Sequence, residues 1–151
     1  MQECFLTGCF VGRLPKAPGT WGSLLGAISG WVILLFLPQS TLFLLSILIT
    51  IIAIKQINLY EEATGTHDDP SIVIDEIAGI WLAISILPNT HPIWIALAFL
   101  FFRYFDITKP SYIRRLEKLP GGLGVMADDL LAGILAGLST GLVYVGVTKL
   151  L

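Results

Sequence analysis

Of the 151 residues, 55% are apolar and only 13% are charged, and the mean hydropathy is +0.82. Soluble domains carry about 25% charged residues, so this composition excludes an ordinary soluble domain and points to one integral-membrane domain over residues 1–151. With a net charge of −2 the chain lacks the basic stripe that nucleic-acid binding needs, and it is read as binding no nucleic acid.

The N-terminal run Met1–Lys16 has no long apolar core and no small-residue cleavage site, which argues against a removed signal peptide. Cys4 and Cys9 have no nearby histidine pair to complete a zinc site and read as free thiols. Five apolar segments follow, at about 20–37, 41–57, 72–87, 91–105 and 129–148, parted by the turns Leu37-Pro38-Gln39-Ser40 and Pro88-Asn89-Thr90-His91-Pro92. The expected fold is an all-α polytopic bundle of four to five short transmembrane helices with cytoplasmic loops. Seventeen helical residues reach roughly 26 Å, short for a bilayer core of about 30 Å, so the first segment either spans or is re-entrant.

If all five segments cross, one side receives Arg13, Lys16, Lys55, Arg103, Lys109, Arg114, Arg115 and Lys118, and the other only Lys149. Basic residues collect on the cytoplasmic side of membrane proteins, which places the N-terminus there and the C-terminus opposite. The same assignment puts every polar stretch on the cytoplasmic face: Pro15–Ser23, Glu61–Ser71, Arg103–Glu117 and Pro120–Asp129.

Acidic residues within or beside these apolar stretches carry the functional question. A carboxylate at a helix centre in hydrocarbon costs roughly 2.5–3.5 kcal/mol, so Asp75, Glu76, Asp106, Asp128 and Asp129 call for compensation. Asp75 heads the row Asp75-Gly79-Ala83, and Asp129 heads Asp129-Gly133-Gly137-Gly141; a third row is Gly22-Gly26-Gly30. Positions four apart share a helix face, and small residues let membrane helices approach closely, so these acids sit on packing faces. Carboxylates can hold a hard cation such as Mg²⁺, and nearby cations and backbone amides can hold a phosphate. The candidate catalytic and metal-binding acids are therefore Asp75, Glu76, Asp128 and Asp129. Lys16, Arg103 and Lys109 are the candidate phosphate cations, and the backbones of Gly19-Thr20 and Gly121–Gly124 offer close approach.

Plainer roles compete with these. Asp128 or Asp129 suits an N-cap of the last segment. Arg103 and Lys109 suit snorkelling to headgroups, and Arg114, Arg115 and Lys118 suit contact with anionic lipid. Glu61 and Glu62 suit a solvated helix end. His67 is a candidate proton shuttle, and Ser23 is a candidate nucleophile without a base near it in sequence. Asp106 allows a covalent phosphoryl intermediate, although Thr108 stands where haloacid-type phosphatases have a second acid. A small divalent-cation or proton transporter using the same carboxylates is the alternative function, and a non-catalytic scaffold a third.

Four stretches taken together resemble one family. Lys16-Ala17-Pro18-Gly19-Thr20-Trp21-Gly22-Ser23, Asp69-Pro70 with Ile74–Gly79, Arg103–Pro110 and Gly121–Asp129 occur in order across residues 12–140, and they look like phosphatidylglycerophosphatase A. The resemblance implies an all-α enzyme of the bacterial inner membrane. It implies Mg²⁺-dependent removal of the terminal phosphate of phosphatidylglycerophosphate, a phospholipid substrate, at a site facing the cytoplasm. It adds Thr20 to the substrate-binding set and Asp69 to the metal ligands; Asp68 also neighbours that position, and adjacency to Pro70 favours Asp69.

Overall fold

The computed structural model describes residues 1–151. The chain is all-helical: α1 (Gln2–Leu6), a 3-10 turn (Val11–Arg13), α2 (Pro18–Leu34), α3 (Gln39–Thr64), α4 (Ile74–Ser85), α5 (Pro92–Thr108), α6 (Ser111–Leu116) and α7 (Gly121–Leu150). Prolines open α2 and α5, where their missing N–H has no helical partner to lose. Gly65 closes α3 in the left-handed conformation, its N–H donating to the Glu61 carbonyl at 2.8 Å.

α4 lies at the centre, packed against α2, α3, α5 and α7. Ten of its 12 residues are buried. Backbone carbonyls in its middle and at its C-terminal end are answered from α3. Gln39 Nε2 donates to the carbonyls of Ile84 and Leu87 at 2.9 and 2.8 Å, and Ser46 Oγ donates to the Ala78 carbonyl at 2.8 Å. On the other flank Trp81 Nε1 donates to the Gly26 carbonyl of α2 at 2.9 Å. Phe102, Ile80, Ile84, Ala132 and Ala136 form one apolar cluster, and Ile57, Ile77 and Met126 belong to a second.

Backbone approach between α4 and α7 sets the register that matters. A Cβ at Gly133 would collide with the Gly79 carbonyl, and a Cβ at Gly79 would lie 2.6 Å from the Asp129 carbonyl oxygen. The two acid-headed rows thus meet each other, as far as Gly137 against Ala83 and Ile86; Gly141 touches only Pro88.

The membrane reading is met in a coarser form than four to five spans. Two helices, Gln39–Thr64 and Gly121–Leu150, are long and apolar enough to cross a membrane. The 72–87 segment is a helix of 12 residues, about 18 Å at 1.5 Å per residue, shielded by its neighbours. α2 and α5 have 17 residues each and turn large apolar side chains outward, among them Ile28, Trp31, Ile93 and Leu100. Such apolar exterior suits membrane association.

The start of the last helix also differs from expectation. Gly121–Gly124 form the first turn of α7 rather than a loop before it, so Asp128 and Asp129 lie in its third turn and cap nothing. Glycine is a poor helix former. Here tertiary packing overrides that preference: Gly122 sits against the Ile54 backbone, and its N–H donates to Asn58 Oδ1 of α3 at 2.7 Å.

Candidate metal and phosphate site

Asp75 and Glu76 occupy the first turn of α4, whose N-cap residue Val73 offers no side-chain cap. Acidic side chains at a helix N-terminus meet its unpaired amides and positive dipole end. The Gly79–Gly133 approach brings Asp129 of α7 to the same place. Ligand oxygens of Asp75, Glu76 and Asp129 all lie within 4.8 Å of one another. All three residues are buried, and Asp75 Oδ1 and Glu76 Oε2 have no hydrogen-bond partner.

Three carboxylates at this spacing repel one another, and burial strengthens the repulsion. An all-oxygen set with two buried, unpartnered oxygens fits a hard divalent cation. The trio lines a cavity of about 180 Å³. Pro18 and Gly19 of α2, the Asp68-Asp69-Pro70 loop with Ile72, Asp106 and Lys109 at the end of α5, and Val125 and Asp128 of α7 complete the lining. Gly19 is required here by space: a Cβ would collide with Glu76 Oε1 and lie 3.3 Å from an Arg103 guanidinium nitrogen.

Two cations are held at its edges. Lys109 Nζ donates to Asp128 Oδ2 at 3.0 Å and to Glu117 at 2.9 Å. Burial would lower its pKa, but the Glu117 and Asp128 carboxylates outweigh burial and raise it above the ordinary lysine value. Lys109 itself is left-handed, with φ 41°. Pro110 follows it and disfavours continued α-helix, so the chain leaves α5 here in a conformation uncommon for a side-chain-bearing residue. Arg103 pairs with Asp106 one turn along α5 and lies 3.4 Å from Ser23 Oγ of α2. Its Nε is buried without a partner.

The predicted residues thus divide. Asp75, Glu76 and Asp129 form the tight trio, while Asp128 is committed to Lys109 and, through Oδ1, to the Asp129 N–H at 3.0 Å. Asp106 lines the cavity, bound to Arg103. Asp69 stands at the rim with both oxygens engaged: Oδ1 accepts from the Ser71 N–H and hydroxyl at 2.8 and 2.7 Å, and Oδ2 from the Tyr60 hydroxyl at 3.0 Å. Burial would raise its pKa, but these donors and Arg13 outweigh it and hold the carboxyl below the ordinary range.

Lys16 is exposed and Thr20 half-buried, and neither lines the cavity. Ser23 is buried with its hydroxyl donating to the Gly19 carbonyl at 2.7 Å. His67 is exposed, 2.7 Å from Glu61, and outside the lining, so it is not placed as a proton shuttle. Arg114, Arg115 and Lys118 are exposed around α6.

Glu117 and Asn58 are the participants that sequence reasoning missed. Glu117 reaches Lys109 only because α6 folds the chain back over eight residues. No helical spacing signals that contact.

The Phosphatidylglycerophosphatase A family model matches residues 4–144. A Haemophilus influenzae protein named phosphatidylglycerophosphatase A is 40% identical over 126 residues, covering 83% of this chain and 77% of its own length. An Escherichia coli protein of the same name is 37% identical over 134 residues, 88% of this chain and 76% of its own. A Bacteroides thetaiotaomicron protein, named provisionally as a phosphatidylinositol-3-phosphatase, is 42% identical over 136 residues, 85% of this chain and 84% of its own. No solved structure matches.

Proposed function

The chain belongs to the phosphatidylglycerophosphatase A family, and we propose that it is a Mg²⁺-dependent phosphatase that removes the terminal phosphate of phosphatidylglycerophosphate to give phosphatidylglycerol. The observation that carries the reading is the buried trio Asp75, Glu76 and Asp129 with its unpartnered oxygens. A doubly charged phosphate cannot enter a cavity richer in carboxylates than in ammonium and guanidinium groups unless further positive charge is present.

Asp75, Glu76 and Asp129 would hold Mg²⁺, which when bound supplies charge neutralisation of the phosphoryl group and activation of water. Lys109, fixed between Asp128 and Glu117, presents a permanent positive charge to the phosphate. Arg103 is steadied by Asp106 and has donors to offer phosphate oxygens in a forked geometry. Asp128 acts through Lys109 by orienting it. Gly19 leaves room for the phosphate where any side chain would block Glu76.

For the membrane, the reading is a multi-pass protein of the bacterial cytoplasmic membrane, one domain over residues 1–151, with α2, α3, α5 and α7 around α4. Gln39, at the start of α3, bonds the end of α4, so α4 ends level with the start of α3 and is read as a shielded short pass. Eight of the nine basic residues then share the site's side, which supports a cytoplasmic cavity and a C-terminus on the opposite face. The transporter alternative has less to rest on. Beyond the trio the hydroxyls of Ser46 and Thr140 are spent on the Ala78 and Ala136 carbonyls, and the α4–α7 seam is closed by glycines.

The test is release of inorganic phosphate from phosphatidylglycerophosphate by the purified protein in detergent, with Mg²⁺ and with chelator. Release that depends on Mg²⁺ and on Asp129 is expected. Release unaffected by chelator would remove the metal from the mechanism, and no release would remove the activity.

A further inference from the structure

An apolar groove of about 220 Å³ runs between α2 and α5, and its two walls lead straight to the polar cavity. On α2 its wall includes Ala27, Ile28 and Trp31; on α5 it includes Ile95, Ala96 and Phe99. Side chains three or four apart share a helix face. Followed toward the site, the α2 wall continues from Ala27 to Ser23 and Gly19, and Gly19 lines the cavity. The α5 wall continues from Phe99 to Arg103 and Asp106, and Asp106 lines the cavity.

Groove and cavity meet where Arg103 approaches Ser23 across the two helices. Polarity changes at this point, from apolar side chains to a guanidinium and a hydroxyl. Ile28 and Trp31 are 52% and 40% exposed, so the groove opens sideways, toward lipid in the membrane reading.

We propose that this groove seats an acyl chain of the lipid substrate, with the headgroup passing over Arg103, whose contact with Ser23 marks the boundary between groove and cavity. The inference rests on the lipid-phosphatase reading and adds how the enzyme holds its substrate. A phosphate joined to an apolar chain matches a polar cavity joined to an apolar groove, and a lateral opening lets the lipid arrive without leaving the bilayer. Binding of the chain is remote from the reacting phosphorus, yet such binding can be used to orient the headgroup as well as to hold the lipid, so kcat/KM is the quantity that registers it.

Ala96 is the position to probe, because it is exposed and a larger side chain there fills the groove without entering the core. Phosphate release is measured, with Mg²⁺ and fixed detergent, from a diacyl phosphatidylglycerophosphate and from its water-soluble headgroup lacking acyl chains. The readout is the ratio of the two kcat/KM values. The wild type should prefer the diacyl lipid, and Ala96→Trp should shrink that ratio by about tenfold, the scale of apolar-pocket discrimination. Ile93→Trp, on the same helix but outside this groove, should keep the wild-type ratio. An unchanged ratio in Ala96→Trp, or an equal change in Ile93→Trp, overturns the groove as an acyl seat. A wild type that releases phosphate from neither compound instead strikes the phosphatase reading itself, and the acyl seat falls with it.

Discussion

Lys109 and Asp128 stand 19 residues apart in the chain and 3.0 Å apart in the fold, with Glu117 closing on the same ammonium from its other side at 2.9 Å. This pairing ties the end of α5 to α7 and places a fixed cation on the wall of the carboxylate cavity. Lys109→Met should lower phosphate release by about a hundredfold or more, the scale of losing a preorganised charge. Lys109→Arg should recover only part, because a planar fork cannot reproduce an ammonium shared by two carboxylates. The pKa of Lys109 is raised, so its contribution is fully present below the ordinary lysine value of about 10.4 and is lost only as pH rises through the higher folded value. A fall in activity between neutral pH and pH 9 that persists in Lys109→Arg therefore belongs to another group. Wild-type rates in Lys109→Met would show that the phosphate does not use this cation.

Removing one carboxylate of the trio should separate function from stability. Asp129→Asn keeps the shape and removes a charge from a cluster whose oxygens lie within 4.8 Å of each other. Activity should drop by about a thousandfold, whereas in chelator the variant should unfold at a higher temperature than the wild type, because buried like charges are relieved. Mg²⁺ should raise the wild-type melting temperature and leave the variant's nearly unchanged. The check is a thermal-shift series in detergent at several Mg²⁺ concentrations. Equal Mg²⁺ stabilisation of both proteins would place the ion elsewhere.

The cluster was legible in the sequence where helical arithmetic reaches. Asp75 with Gly79, and Asp129 with Gly133, identify two small-residue faces headed by acids, and those faces do meet. What stayed hidden depends on contacts between distant segments. Hydropathy is the same whether an isoleucine meets lipid or protein, so the burial of α4, with Ile80 and Ile84 inside the core, could not be told from a lipid-facing span. The run Gly121–Gly124 reads as a loop by propensity and becomes helix because Asn58 and the Ile54 backbone receive it. Asp69 enters the ligand set through the family resemblance alone, and its spacing gave no sign that Ser71 and Tyr60 would donate to its oxygens.

Gly133 should be intolerant of size although it carries no chemistry. A Cβ there meets the Gly79 carbonyl, which is backbone and cannot turn aside. Gly133→Leu should destabilise by about 3 kcal/mol or more, above the usual range for overpacking because α4 and α7 must part. Activity should vanish with it, since Asp129 rides on the same seam. Gly146→Leu, with open space around the position, is the control and should behave as wild type. Measured unfolding in detergent decides; a stable, active Gly133→Leu would mean that the seam is looser than drawn.

Asp69 offers a pH signature outside the helices. Its folded pKa is depressed, so the stability it contributes is present above the ordinary aspartate value of about 3.9 and is lost as pH falls through the lower folded value. Asp69→Asn should melt below the wild type at pH 7. The gap should close as both are acidified below about pH 4, where the wild-type carboxyl also gains its proton. A gap that is constant with pH would assign the effect to lost shape rather than to charge.

Orientation decides which membrane leaflet the carboxylate cavity faces. The bundle places the site, Arg13, Lys55 and the exposed α6 cations at one end and Gln39 at the other, where it bonds the end of α4. Each basic residue beside an anionic cytoplasmic surface gains about 1 kcal/mol, so in the proposed orientation, with eight of nine on that side, inversion forfeits several. Single cysteines at Ser40, Asn89, Ser111 and Lys118, in a background with Cys4 and Cys9 replaced, can be exposed to an impermeant thiol reagent in cells whose outer barrier is open. Labelling is expected at 40 and 89 and not at 111 and 118. Labelling at 111 and 118 instead would turn the carboxylate cavity to the opposite leaflet, where the lipid phosphate would have to be translocated before Lys109 and Arg103 could meet it.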